Sequence, residues 1–360
     1  MRNSALPLCG RRRKRACAAV LCLSLGAFAW LVSGCASRSS RPPAGDPAAG
    51  RRPAWPPPSL PATVRVRVSS PGGPRVLTLP VDEYVLGAVR AEVLPSTLRA
   101  EPASRALDVQ AIVSRTYAAA NLGRHAADGY DLCDTTHCQV YRPAAAGEGP
   151  ADAAARAVHA TRGKVLTFEG RVIQALFHAD CGGRTAAAVS VWGGTDASYL
   201  DSVEDVFCAR RPASGWSFDA EESGMRRALN ADARTRIGDR LRRVEIASRD
   251  SAGRALSVTL VGSKTISVRA EVFRAVMTQA FGPRSIRSTW FEVARDGNRL
   301  RFSGVGFGHG VGLCQAGTRQ RVEAHQTPAE ILAHYFPGTR LQSASPGPVE
   351  RDVAGRLFGR

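Results

Sequence analysis

With 360 residues the chain can bury a substantial core, as one large domain or two modest ones. Its 49 Lys and Arg against 31 Asp and Glu give a formal charge of +18, nearly all of it arginine, since only Lys14, Lys164 and Lys264 are lysines. That balance favours anionic partners, but no aromatic residues interleave with the basic ones as on a nucleic-acid surface. No glycine-rich run has the lysine of a P-loop or a dinucleotide spacing either, so nucleic-acid binding and nucleotide chemistry are argued against.

Residues 1–34 read as a secretory signal. Arg11, Arg12, Arg13, Lys14 and Arg15 precede the apolar run ACAAVLCLSLGAFAWLV, and LVSGC follows. The ending resembles the cleavage site of bacterial lipoproteins, so Cys35 is the expected lipidated first residue and the membrane is reached through that lipid. An uncleaved anchor is the alternative, although the run is marginal in length for a spanning helix. Either way the remainder lies outside the cytoplasm. Cleavage removes six basic and no acidic residues and leaves +12. Residues 35–62, rich in Pro, Ala, Ser and Gly, read as a tether, 63–343 as the folded domain and 344–360 as a loose tail.

TVRVRVSS alternates apolar and basic residues with period two, which predicts a strand from Thr63 with one wet face and GGPRVLTLP as its hairpin partner. After Pro80, VDEYVLGAVRAEV puts Val85, Val89 and Glu92 on one helical face. PASRALDVQAIVSRTYAAA carries Leu107, Ala111, Ser114 and Ala118 along a stripe and is apolar on most sides, as a buried helix is. GKVLTFEGRVIQALFHADCGG predicts two strands around Glu169-Gly170. RRVEIASRDSAGRALSVTLVG predicts a hairpin turning at Ala252-Gly253, SVRAEVFRAVM a short helix, and RSTWFEVARDGNRLRFSGVGFGHG a hairpin turning at Asp296-Gly297. There is no internal repeat. The class is α+β: twisted antiparallel sheet with a few helices packed on it.

Glu92 extends the apolar stripe of Val85 and Val89, so its carboxyl should face the packed side, where burial raises a carboxyl's pKa and suits a general acid. A surface glutamate at a helix end is the plainer reading of the same spacing. In HAADGYDLCDTTHCQVY, Cys133, His137 and Cys138 fall within six residues, with His125 eight positions upstream. Two thiolates with one or two imidazoles suit tetrahedral Zn²⁺, and a Cys133–Cys138 disulfide is the competing use of those residues outside the cytoplasm. Cys181 and Cys208 read most economically as a disulfide closing a long loop, which leaves Cys314 unpaired near His309. A Cys314–His309 nucleophile pair lacks an identifiable third orienting residue. GFGHGVGLCQAGT, residues 306–318, sets five glycines around His309, Cys314 and Gln315. It reads as a sharp corner or as the wall of an active site.

Together these segments resemble the SpoIID/LytB domain, the family of sporulation stage II protein D. VDEYVLGAVRAEVLPSTLRAEPASRALDVQAIVSRTYAAA is similar to its opening block and DLCDTTHCQVY to the next. HADCGGRT with VWGG and YLDSV is similar to the third, and GVGFGHGVGLCQAGT to the closing signature, so the likeness spans about Val64 to Leu341. It implies one SpoIID-like catalytic domain acting as a lytic transglycosylase on peptidoglycan glycan strands stripped of their stem peptides. On that resemblance Glu92 is the catalytic acid and base, with Glu83 its alternative; should Glu92 fail, Glu83 or Asp131 is the carboxyl to turn to. Gln110, Arg115 and Tyr117 line or support the cleft, and His309 and Gln315 form its opposite wall. Cys133, His137 and Cys138, with His125 added from spacing, hold a structural Zn²⁺. Part of the family is regarded as enhancers of cell-wall amidases, so glycan binding without cutting, beside an amidase partner, is the rival reading. A catalytic zinc in the Cys/His loop is a third. The chain departs from the family pattern at EVLPS, with an extra residue before Pro95, at Asp108, and at Cys314, where Ser is frequent. The lipid at Cys35 implies a periplasmic face, with the outer membrane open because Ala36 rather than Asp follows it.

Overall fold

The alternation in Thr63–Val68 does what its period demands: Val64, Val66 and Val68 are buried while Thr63, Arg65 and Arg67 meet water. In the computed structural model, which describes residues 57–93, 104–143, 152–194, 197–209 and 215–346, this strand pairs antiparallel with Arg75–Pro80, Thr63 opposite Pro80. A short strand, Leu132–Cys133, adds parallel to its other edge. The signal segment, Cys35, most of the tether and Pro95 lie outside the described residues.

Pro80 ends the hairpin and starts helix α1 (Val81–Glu92), with Asp82 and Glu83 in its first turn and Arg90 in its last, each placed to favour the helix dipole. Helix α2 (Arg105–Ala120) is buried almost throughout from Ala106 to Ala118, as its apolar circumference predicts. Helix α3 (Ala153–Ala160) is capped by Asp152, whose carboxylate accepts from the Ala155 N–H at 2.7 Å.

Arg115 ties these three helices together. Fully buried, its guanidinium meets Asp82 at 3.1 Å and donates to the Thr161 and Val158 carbonyls at 2.9 and 3.2 Å. Those carbonyls belong to the end of α3 and have no further helical partner to reach. Arg115→Ala should therefore cost roughly 3 kcal/mol by urea unfolding, through a cavity and the loss of its buried hydrogen bonds to both carbonyls, while Asp82 keeps its second partner Arg162 at 3.1 Å. A Lys there should rescue only part, because one ammonium cannot reproduce the fork.

Lys164–Phe168 and Arg171–Val172 pair across the expected turn, where Glu169 and Gly170 both adopt positive φ. Arg340–Ser343 covers the other edge. Beyond the short helices α4 (Ala188–Trp192) and α5 (Val206–Ala209), the chain builds a second hydrophobic core before returning to the first. This insert contains helices α6 (Glu222–Ala231) and α7 (Ala270–Phe281) and two three-stranded sheets. Leu241–Arg249, Ala255–Gly262 and Thr265–Arg269 make one sheet, while Arg299–Val305 sits between Phe291–Asp296 and Gly215–Glu221 in the other. Trp216, Leu229, Val258, Phe273, Phe291 and Phe302 fill the space between them. SVRAEVFRAVM departs from expectation. Its first three residues complete the strand Thr265–Arg269, whose side chains alternate in exposure, and α7 starts only at Ala270.

Helices α8 (Gln315–Glu323) and α9 (Pro328–Tyr335) then close the first core with Val322, Ile331, Tyr335 and Phe336. Helices and small, mostly antiparallel sheets, with no closed barrel among the described residues, make the α+β class that the sequence predicts.

Candidate active site

Three helix ends meet at one pocket. Glu92 and Val93 come from the C-terminus of α1, Ala106 and Gln110 from the first turns of α2, and Gln315 and Arg319 from α8. Gln110 donates to the Ser114 hydroxyl at 3.1 Å and accepts from the Gln315 amide at 3.3 Å, which fixes which way both amides point. Glu92 accepts from the Val140 N–H at 2.7 Å. Burial pushes its carboxyl up to about 7, against the pull of that hydrogen bond. The fallback carboxyls sit elsewhere. Glu83 is exposed on the first turn of α1. In Asp131 burial pulls the carboxyl upward, yet Arg65, through its side chain and its N–H at 2.8 Å, holds it below its ordinary value.

The expected lining residues divide. Gln110 and Gln315 are at the pocket with Glu92, whereas Arg115 and Tyr117 support it from inside. Tyr117 lies buried toward the Cys/His loop, where burial and then the Cys138 thiol push its hydroxyl up to about 12.

His309 is not part of the Glu92 pocket's wall. After Val305 the glycine-rich segment crosses from the second core to the first. Phe307 exchanges two backbone hydrogen bonds with Asp180, and Gly310 accepts from the Ala186 N–H. His309 Nδ1 accepts from the Val311 N–H at 3.1 Å, which turns the ring onto Trp192 and His178, with centroids 5.2 and 5.7 Å away. Burial lowers it to about 4, so the imidazole is neutral. The segment is a corner over its first half and reaches the pocket only at its end, through Leu313, Gln315 and Thr318. Gly310 has φ +85° and its Cβ would lie 2.6 Å from the Arg254 guanidinium carbon. Gly310→Val should cost about 1–3 kcal/mol, and His309→Ala should lower the melting temperature while leaving activity per folded molecule unchanged. Melting curves and product yields measured on the same samples separate the two effects.

The Cys/His loop closes on itself as the spacing allows. Cys138 Sγ lies 3.4 Å from His125 Nε2 and 3.8 Å from His137 Nδ1, and Cys133 Sγ is 3.9 Å from the same His137 nitrogen. The four ligand atoms all lie within 4.8 Å of one another. A tetrahedral ion bound at about 2.0–2.3 Å sets neighbouring ligand atoms roughly 3.3–3.8 Å apart, so the four residues fit a metal ion. His125 is held by stacking on Tyr130 at 4.6 Å and by Asp128, 3.6 Å from its Nδ1, as metal-ligating imidazoles commonly are. Cys133 and Cys138 are free thiols here. Cys181 and Cys208, expected as a disulfide, are free as well. Cys314, expected to stand alone near His309, has its Sγ 3.7 Å from that of Cys208.

Two participants escaped the sequence reading. Arg319 could have been found from its four-residue spacing after Gln315, had the helix after the glycines been recognised. The Val140 N–H carries no sequence signal at all.

Residues 73–168 match the stage II sporulation protein family, SpoIID, and residues 213–312, the insert, match a domain of unknown function, DUF8618. The chain is 27% identical to the amidase enhancer of Bacillus subtilis (strain 168), over 70% of its own length and 40% of that protein. It is 28% identical to stage II sporulation protein D of the same organism, covering 75% of this chain and 76% of the relative. An uncharacterized protein of Brachyspira hyodysenteriae is 28% identical over 73% of this chain and 67% of its own. The chain thus spans less than half of the amidase enhancer and about three quarters of the sporulation protein. The resemblance read from the sequence is borne out: residues 73–168 match the SpoIID family, and stage II sporulation protein D and the amidase enhancer are 27–28% identical over most of this chain.

Proposed function

We infer that the protein is a lytic transglycosylase that cuts peptidoglycan glycan strands stripped of their stem peptides, with Glu92 as its single acid and base. The observation that carries this reading is a carboxyl raised to about 7 in a pocket whose other polar lining groups, among the described residues, are amides, a hydroxyl and a guanidinium. Glycosidases that use water need two carboxyls, one on each side of the scissile bond. A lytic transglycosylase needs one. Glu92 gives its proton to the bridging oxygen as the bond to the anomeric carbon breaks. The muramic acid C6 hydroxyl oxygen then bonds to that carbon and passes its proton to the Glu92 carboxylate. The product is a 1,6-anhydro ring, no water is consumed, and the acid is restored. Gln110 and Gln315 are suited to orient sugar hydroxyls, and Arg319 to pair with the lactyl carboxylate that a stripped strand exposes.

The Cys/His loop would hold a structural Zn²⁺ through Cys133, His137, Cys138 and His125. Four protein ligands leave no open position for water, which argues against a catalytic zinc. When bound, the ion fixes the loop whose Val140 N–H orients Glu92. The signal and Cys35 support a lipid-anchored protein on the periplasmic face of a bacterial membrane.

The rival reading, a glycan-binding enhancer of a cell-wall amidase, is favoured by the name of one relative. Cleavage needs a carboxyl that holds a transferable proton near neutral pH, and glycan binding alone does not. Stripped strands incubated with the protein test the two readings. Anhydro-muramic ends support the enzyme, and strands bound but intact support the enhancer.

A further inference from the structure

We propose that Cys181, Cys208, Cys314 and Asp205 form a second metal site, built for a single thiophilic divalent cation such as Zn²⁺ and placed beneath the start of α8. It shares no residue with the Cys/His loop. All four residues are fully buried, and their ligand atoms lie within 4.8 Å of one another. Cys208 Sγ is 3.7 Å from Cys314 Sγ, and Cys181 Sγ is 3.4 Å from Asp205 Oδ2. Both separations match the edge of a tetrahedron around an ion held at about 2.0–2.3 Å. A disulfide needs about 2.05 Å and uses only two of the three sulfurs.

Buried cysteines often serve as small apolar side chains, but these are surrounded by donors. The Cys181 and Gly317 N–H groups both point at Cys314 Sγ at 3.3 Å, and the Gly183 N–H points at Cys181 Sγ at 3.4 Å. Hydrogen bonds of that kind favour the thiolate. Asp205 is oriented as ligating carboxylates are. Its Oδ2 accepts from the Tyr335 hydroxyl at 2.5 Å, and its Oδ1 from Arg321 and the Cys208 N–H at 3.4 and 3.3 Å. Gly317 has no side chain for a reason: a Cβ there would run into Asp205 Oδ2 and the Tyr335 hydroxyl.

Charge points the same way. As the ion binds, each thiol releases its proton to solvent, so three thiolates and a divalent ion add one net negative charge. Asp180 and Asp205 are already present, and Cys208 donates to Asp180 at 3.1 Å. Arg321 and Arg254 face them, and Arg254 donates to the Cys181 carbonyl at 2.6 Å. Both guanidiniums keep buried N–H donors without a partner, Nε and Nη1 of Arg254 and Nε of Arg321. His178, beside them, is kept neutral by burial. Gln315 follows Cys314 directly, so the ion would fix the helix start that brings Gln315 and Arg319 to the pocket.

The test is metal analysis of the full chain and of two single variants, Cys133→Ser and Cys314→Ser. Cys133→Ser should retain one zinc per chain, and X-ray absorption at the zinc edge should find three sulfurs around it. Cys314→Ser should lose that ion. If Cys314→Ser does not fold, the parent decides, since an average of more than two sulfurs per zinc requires the three-cysteine site. A zinc-free but folded Cys133→Ser protein overturns the proposal, as does a disulfide mapped between any two of Cys181, Cys208 and Cys314 in the parent. The outcome is independent of whether the protein cuts glycan.

Discussion

Glu92→Gln should lower glycan cleavage by a factor on the order of 10²–10⁴, the usual worth of a general acid, without harm to the fold. The amide is nearly isosteric and its oxygen can still accept from the Val140 N–H, so the pocket keeps its shape. It cannot donate the proton that the leaving oxygen needs. The raised pKa gives the variant a second signature. Between about 4.5 and about 7 the folded chain binds a proton at Glu92 that the unfolded chain has given up, so stability falls as pH rises through that window. Glutamine does not ionise. The variant should therefore melt higher than the parent above pH 7, and the gap should close toward pH 4. Cleavage by the parent should decline as pH passes about 7, because the acid form is being titrated away, while the variant's residual rate stays flat. A fully active Gln variant would send the search for the acid back to Glu83 and Asp131, and would cost the pocket its role.

Cys133→Ser and Cys138→Ser should each lower metal content and stability together, by on the order of 4 kcal/mol or more, the range in which loss of a bound metal falls. Activity should fall in the same variants, even at temperatures where they remain folded. The loop that carries the ligands also carries Val140, two residues past Cys138, and a loosened Val140 N–H no longer orients Glu92. Elemental analysis, thermal melts and cleavage on the same preparations check all three. A Cys133–Cys138 bridge mapped in the parent would decide for the disulfide.

The features legible in the sequence are those whose cause is local. Period-two alternation gives the Thr63–Val68 strand, and the Val85, Val89, Glu92 spacing turns the carboxyl toward the packed side, where it is found half-buried. The Cys/His loop also closes within one short stretch. The features that escaped depend on residues far apart in the chain. Gly215–Glu221 becomes a strand by pairing with Arg299–Val305, and nothing within seven residues announces that partner. His309 turns away from the Glu92 pocket because of the Val311 N–H and of Trp192, which arrives on α4. Pairwise counting of cysteines favours a Cys181–Cys208 bridge, and only the fold brings Cys314 and Asp205 to the same point.

The proposed activity is cleavage of a glycan strand by one half-buried carboxyl, without water. Its most direct test is mass spectrometry of stripped glycan strands after incubation with the parent protein and with Glu92→Gln in parallel. The parent should yield fragments ending in 1,6-anhydro-muramic acid, and the variant should leave the strands intact. Fragments with ordinary reducing ends, or strands that the parent binds and leaves whole, would contradict it.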